Sequence, residues 1–266
     1  MNKRILPEAG YSLNPCMTFE ELQHHFYFNH FVVGRVLYFS AQTQSFKIDL
    51  GNGIIAKMPL VESSIYLTSR PDGLLTAEAY GLISKTVCVK ILQLDYDDIV
   101  VSRKENMLEA FEALSNMEGQ VVDCYVKSCL KKMVFVDVGH GISGAIRILD
   151  LCKTKINHVL DAGVAPKDFI KAKINTIDSE NFHVVMGYKE LFEDLSGSFN
   201  RNDLISAYSF FPIETGNGYF ASVNPNTSAI LDPIPGISIP YGSNVIARVK
   251  SSAPNKLRLG FISFVS

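Results

Sequence analysis

No long apolar run occurs in this sequence. Nothing approaches the roughly 20 residues that a membrane-spanning helix needs, and the opening MNKRILPEAG has basic residues but no apolar stretch of the secretory-leader kind. Cysteine is sparse and odd in number. The five thiols (Cys16, Cys88, Cys124, Cys129, Cys152) form no CxxC pair, which signals neither a disulfide framework nor a zinc site. A reducing cytoplasm is the expected location. An excess of positive charge is also missing: the net charge is −2, so no global imbalance points to nucleic acid. Walker, HExxH and GxSxG patterns are absent, so no catalytic residue, cofactor, metal or small-molecule substrate is expected. Gly139-His140-Gly141 reads as a strand turn without a Cys or Ser partner close in sequence. His24, His25 and His30 lack the cysteines or carboxylates of a metal set and read as surface or interface histidines.

What the chain does have is an ordinary globular composition, 47% hydrophobic and 20% charged over 266 residues. Its charge is uneven. Residues 18–116 hold 8 basic and 12 acidic side chains, whereas 204–266 set Arg248, Lys250, Lys256 and Arg258 against Glu214 and Asp232. One segment type recurs, as Phe46-Lys-Ile-Asp-Leu-Gly51, as Val134-Phe-Val-Asp-Val-Gly139 and more loosely as Tyr219-Phe-Ala-Ser-Val-Asn224. A second follows each, beginning at Val87, Ile170 and Val245. Both alternate apolar and polar residues, the pattern of half-buried strands. Five short strands per repeat, with a long connection after the third, describe a small Greek-key barrel of the oligonucleotide-binding type.

The expected fold is therefore all-β with linker helices: three tandem five-stranded OB-fold barrels at 30–104, 118–190 and 204–266. Residues 1–29 form an irregular N-terminal segment with a short helix. Thr18 caps that helix and Glu21 completes a capping box. A linker helix is expected over 105–117, because Asn106 to Leu114 place apolar residues at i, i+3, i+4 and i+7.

The middle repeat resembles the S-one RNA-binding domain, the repeat unit of the largest bacterial small-subunit ribosomal protein. Gly119-Gln-Val-Val, Val134 to Gly144 and Asp168 to Asp178 carry the resemblance. The first repeat is similar through Gly34-Arg-Val, Ile48 to Gly53, Met58 to Glu62 and Ile99 to Lys104, and the third only through Gly218-Tyr-Phe. The resemblance implies single-stranded RNA as partner, in translation or RNA metabolism.

Strand alternation turns Val134, Val136 and Val138 inward, so Phe135 and Asp137 are expected outside, Phe135 as a platform for base stacking. Arg147 stands where the family commonly carries a His. Lys132 replaces a second family aromatic and can still hold phosphate, and His183 lies near the last strand. In the third repeat Phe220 corresponds to Phe135, with Arg248, Lys250 and Arg258 on nearby strands. The first repeat shows Lys47 and Asp49 outside and Pro59 in place of Arg147. With no aromatic platform it is expected to dock the ribosome or another protein, as N-terminal domains of the ribosomal family do. The alternatives are a protein–protein adaptor that kept the barrels without RNA binding, and a phage or mobile-element assembly protein.

Overall fold

The computed structural model describes residues 5–214, 216 and 218–265. Helix α1 (Phe19–Tyr27) precedes β1 (Val32–Ser40), β2 (Ser45–Asp49) and β3 (Ile55–Pro59). A long connection with the one-turn helix α2 (Ala77–Tyr80) leads to β4 (Thr86–Asp95) and β5 (Asp98–Ser102). Helix α3 (Arg103–Leu114) follows, then β6 (Val121–Leu130), β7 (Met133–Asp137), β8 (Ser143–Arg147), the short α4 (Ile148–Leu151), β9 (Phe169–Asp178) and β10 (His183–Gly187). The last strands are β11 (Leu204–Pro212), β12 (Tyr219–Asn224), β13 (Thr227–Asp232), β14 (Asn244–Ala253) and β15 (Lys256–Phe264).

These strands close into three five-stranded barrels: β1-β2-β3-β5-β4, β10-β8-β7-β6-β9 and β11-β12-β13-β15-β14. All three follow one cyclic order, as the repeated sequence pattern requires. Closure runs through a parallel pairing of third and fifth strands, Lys57↔Val100 in the first barrel and Ile230↔Arg258 in the third. It leaves no long unpaired strand edge. Alternation fills the interiors. Phe46, Ile48 and Leu50 are fully buried in the first barrel, and Val134, Val136 and Ile146 in the middle repeat. Burying each such side chain contributes about 1.5–3 kcal/mol.

The helices start where their caps are. Thr18 accepts from the Glu21 amide at 3.2 Å, and Glu21 accepts from the Thr18 amide at 2.8 Å. The Ser102 hydroxyl accepts from the Glu105 amide at 2.9 Å and opens α3. Met107, Ala110, Phe111 and Leu114 form the buried stripe of α3.

Packing divides the chain into two compact units. The first is Met1–Tyr125 with Asp137–Gly144 and Thr176–Val184; the second is Val126–Val136 with Ala145–Asn175 and Val185–Ser266.

A buried polar network organises the first unit. Arg103, at the first turn of α3, is 1% exposed. It grips Glu8 with two bonds, Nε–Oε1 at 2.7 Å and Nη2–Oε2 at 2.8 Å, and donates through Nη1 to the Ser63 carbonyl at 3.0 Å. Burial alone would lower the Arg103 pKa, but the Glu8 carboxylate outweighs it and holds the guanidinium above its ordinary value. Glu8 also accepts from the Cys88 amide at 3.1 Å, and its own amide donates to Asp137 at 2.7 Å. The N-terminal segment that looked irregular thus carries a short 3-10 helix, Glu8–Gly10, with a buried carboxylate.

The Gly139-His140-Gly141 turn is held by the same network. Asp137 Oδ1 accepts from the amides of Gly139 at 2.8 Å and Gly141 at 3.0 Å. His140 is buried, and its ring bonds Tyr11 Oη at 2.9 Å and Asn106 Nδ2 at 2.9 Å. The Asn106 amide nitrogen also donates to the Cys88 carbonyl, so it faces His140 as a donor and Nδ1 must accept. Gly141 has φ +85°, and a Cβ there would lie 1.8 Å from Arg103 Nη2, so both the turn and the arginine require glycine.

In the second unit the segment after β8 fastens onto the third barrel. The Lys153 amide donates to the Pro225 carbonyl at 2.8 Å, and its ammonium reaches Asp194 at 2.5 Å and Asn255 at 2.8 Å. Thr154 donates to the Ala221 carbonyl at 3.2 Å. Cys152, Ile156 and Phe210 make a small apolar cluster at this seam.

Removing one partner of the buried ion pair leaves the other charge stranded. Glu8→Ala should therefore cost about 3–5 kcal/mol, read by urea unfolding. The double replacement Glu8→Leu with Arg103→Met should recover much of it. Equal losses in single and double variants would show that the pair is not the element holding this unit.

Candidate nucleic-acid interface

On β7, Met133 and Phe135 are half-buried between the fully buried Val134 and Val136. The Ile148 amide donates to the Lys132 carbonyl at 2.9 Å, and the Val138 amide to the Ile142 carbonyl at 3.0 Å. Both bonds fit one antiparallel register, which sets Met133 opposite Arg147 and Phe135 opposite Ala145. The residue opposite Phe135 is thus a small one. Lys132 and Arg147 are exposed at the end of this ribbon. The Arg147 guanidinium is engaged locally, with Nε on Asp150 Oδ2 at 2.6 Å. That bond and the Asp150 charge raise its pKa.

Asp137 does not join this face. It is 4% exposed and its carboxylate is consumed by three backbone amides, so the expectation of an outward, RNA-facing Asp137 is corrected. An Asp that ends a strand binds amides two and four residues on more readily than it faces solvent. His183 lies in the first unit, exposed, its ring stacked on Tyr66 at 5.6 Å and 14°. Tyr66 accepts from the Ser143 amide at 2.8 Å and donates to the Phe182 carbonyl at 2.9 Å. Burial pushes its phenol up to about 12, so it stays a donor. The adjoining cavity of about 520 Å³ is lined by Glu78 and Glu180 as well as His183. Those carboxylates work against a phosphate contact by His183.

The third barrel carries its cations in one place. Phe220 pairs with Ile230 and Ile230 with Arg258 across three strands, and Arg248 pairs with Gly260 on the neighbouring row. Lys250 and Arg258 both bind Asp232, at 2.6 Å each, while more than half of each side chain stays exposed. Burial raises the Asp232 pKa, but the hydrogen bonds and charges of Lys250 and Arg258 outweigh it and hold the carboxyl below its usual range. Arg248 is exposed beside them. Phe220, the expected platform of this barrel, is half-buried like Phe135 and packs against the Cys152, Ile156 and Phe210 cluster. A segment distant in sequence lies against it, which strand alternation does not reveal.

The first barrel also departs from expectation. Tyr38 on β1 is 53% exposed and pairs with Lys47, which pairs with Lys57 on β3. The outer face therefore does carry an aromatic, on a different strand from Phe135.

No family model matches the chain. The small ribosomal subunit protein bS1 of Rhodopseudomonas palustris is 31% identical over 160 residues, covering 56% of this chain and 26% of that protein. The bS1 protein of Neisseria meningitidis serogroup B is 34% identical over 122 residues, covering 41% and 21%. The three closed five-stranded barrels and this similarity support a tandem repeat protein of the S-one type. The match spans about a quarter or less of the length of these curated relatives. Among solved structures, a multidomain protein with nucleic acid binding domains from Streptococcus pneumoniae is similar over 88% of this chain and 73% of that one, with a TM-score of 0.28 and 15% identity. Among the described residues no helix is long and apolar enough to cross a membrane.

The Asp232 arrangement has a definite pH signature. A carboxyl whose folded pKa is depressed stabilises the fold above its unfolded value near 3.9, and that stability is lost as pH falls through the folded value. The melting-temperature gap between the unaltered protein and Asp232→Asn should therefore be open at pH 6 and close towards pH 3. A gap independent of pH would mean that the two cations do not lean on Asp232.

Proposed function

We propose that the chain binds single-stranded RNA through its second unit. Phe135 with Lys132 and Arg147 forms one contact area there, and Arg248, Lys250 and Arg258 form another. The observation that carries this reading is the partly exposed Phe135 with small Ala145 opposite and two exposed cations at the ribbon end. A base can stack on the ring while its flanking phosphates meet the cations. Asp232 holds Lys250 and Arg258 in place, so little side-chain freedom is lost when a phosphate arrives. Similarity to proteins named bS1 supports RNA as the ligand.

A second reading concerns the first barrel, for which we propose protein docking. The observation favouring it is the end of α1, where Tyr27 and Phe28 are 78% and 63% exposed beside His24 and His30. A cluster of exposed aromatics of this kind suits an interface more than open solvent.

Two variants separate stacking from charge in one titration series. Phe135→Ala should weaken binding of an oligouridylate by about 1–3 kcal/mol at low and high salt alike, because stacking releases no counterions. Arg147→Ala should instead reduce the slope of log affinity against log salt by about 0.7, one single-strand phosphate contact. An unchanged affinity in both variants, with the fold intact, would leave the adaptor as the better description.

A further inference from the structure

The outer face of the first barrel holds a constellation that the first-repeat sequence hides. A β-bulge falls between Val36 and Tyr38, so that Val36 pairs with Ile48 and Tyr38 with Lys47, the adjacent residue on β2. Leu37 is the extra residue and is itself 40% exposed. Without the bulge, Tyr38 would share the inward side of Val36; with it, Tyr38 turns outward and Phe39 turns in against Phe46, their rings 5.0 Å apart. The outer row then reads Tyr38, Lys47, Lys57 across β1, β2 and β3. The next outer row reads Arg35, Asp49, Ile55. Among the described residues, neither Lys47, Lys57 nor Arg35 makes an ion pair, and Tyr38 has no ring partner. Asp49 is occupied by the Gly51 amide at 2.8 Å. The face therefore offers one open ring and three cations outside any ion pair, with the Asp49 carboxylate opposite Arg35 as the one counter-charge in these two rows, although residues 18–116 as a whole are acidic.

Comparison with the middle repeat shows what has moved. Lys47 opposite Lys57 takes the place of Phe135 opposite Ala145. The ring lost from the second strand is regained on the first, one strand spacing of about 4.8 Å away. Two lysines now flank it, where the middle repeat has an aromatic and a small residue.

We propose that Tyr38, Lys47, Lys57 and Arg35 form a further contact site for single-stranded RNA, with a base on Tyr38 and phosphates on the lysines. The site rests on the RNA-binding reading for the class of its ligand, but not for its residues. Charge complementarity selects the ligand: unpaired cations around an exposed ring fit an anionic chain of aromatic bases. A protein partner on the same face would have to bury Lys47 and Lys57 or neutralise them. The helix α1 surface remains open for protein docking.

The test uses the full chain and a fluorescein-labelled oligouridylate of twenty nucleotides. Tyr38→Ala should weaken binding about 5- to 150-fold, and Tyr38→Phe should bind as the unaltered protein does. Lys47→Ala with Lys57→Ala should flatten the salt dependence by about 1.4 in log–log slope, two single-strand phosphate contacts. Ultraviolet irradiation of the complex should crosslink the peptide containing Tyr38. All of these side chains face outward, so melting temperatures should be unchanged; if Tyr38→Ala melts early, the lysine pair and the crosslink decide. Loss of affinity on Phe135→Ala with no effect of the Tyr38 and lysine variants overturns this site and keeps the earlier reading. The converse result keeps this site and overturns the earlier one. No binding by the unaltered protein overturns both.

Discussion

Arg103 buried against Glu8 is the interaction on which the first unit depends. A guanidinium and a carboxylate withdrawn from water each lose several kcal/mol of hydration, and only good geometry with every remaining donor satisfied offsets that. Here the geometry is bidentate, and Nη1 adds a third bond to the Ser63 carbonyl. The pair is poor evidence for extra stability, since an apolar core could do as well. It is good evidence for a fixed arrangement. Glu8 can satisfy Arg103, the Cys88 amide and, through its own backbone, Asp137 in one placement of the N-terminal segment. Asp137 in turn sets the turn that buries His140, and His140 reads the position of Asn106 on α3. Helix, strand, N-terminal segment and turn are thus held by polar contacts that tolerate little displacement.

The barrels themselves were legible because their interiors obey a period of two. Phe46, Ile48 and Leu50, or Val134 and Val136, can be assigned a face by counting, and the five-strand order follows from the repeat. The helix caps were legible for the same local reason: Thr18 and Glu21 need only each other. The network around Arg103 was not, because its partners lie 95 positions apart in sequence. One local hint existed. A cation in the first turn of a helix opposes the macrodipole, so Arg103 directly after the Ser102 cap is out of place unless a buried anion meets it. Asp137 was misjudged, and the packing against Phe220 went unseen, for the same reason. Alternation says which way a side chain leaves its strand, but not whether a turn amide or a distant segment occupies the space it enters.

The three outer faces show one surface put to use in different ways. Seen as positions, the repeats change from the middle outward: Phe135 becomes Lys47 in one direction and, in the other, a Phe220 packed against a neighbouring cluster. Seen as chemistry, each barrel keeps cations on its wall, exposed at Lys132 and Arg147 and at Lys250 and Arg258, half-buried at Lys47 and Lys57. The middle repeat leaves its arginine tied only to a neighbour on α4, whereas the third anchors two cations to one carboxylate. The second arrangement gives up some net charge for a fixed geometry.

The bulge at Leu37 makes residue number, rather than residue type, decide which ring of β1 meets solvent. Upstream of it the strand is in one phase; downstream the phase is inverted, and Tyr38 and Phe39 have exchanged sides. A column-by-column comparison of repeats assumes that phase is shared, so it scores this barrel as having lost its aromatic. In space the ring has only stepped to the adjacent strand. Insertions and deletions of a single residue, normally regarded as damage to a sheet, are here a way for a barrel to rewrite its surface while leaving its interior untouched.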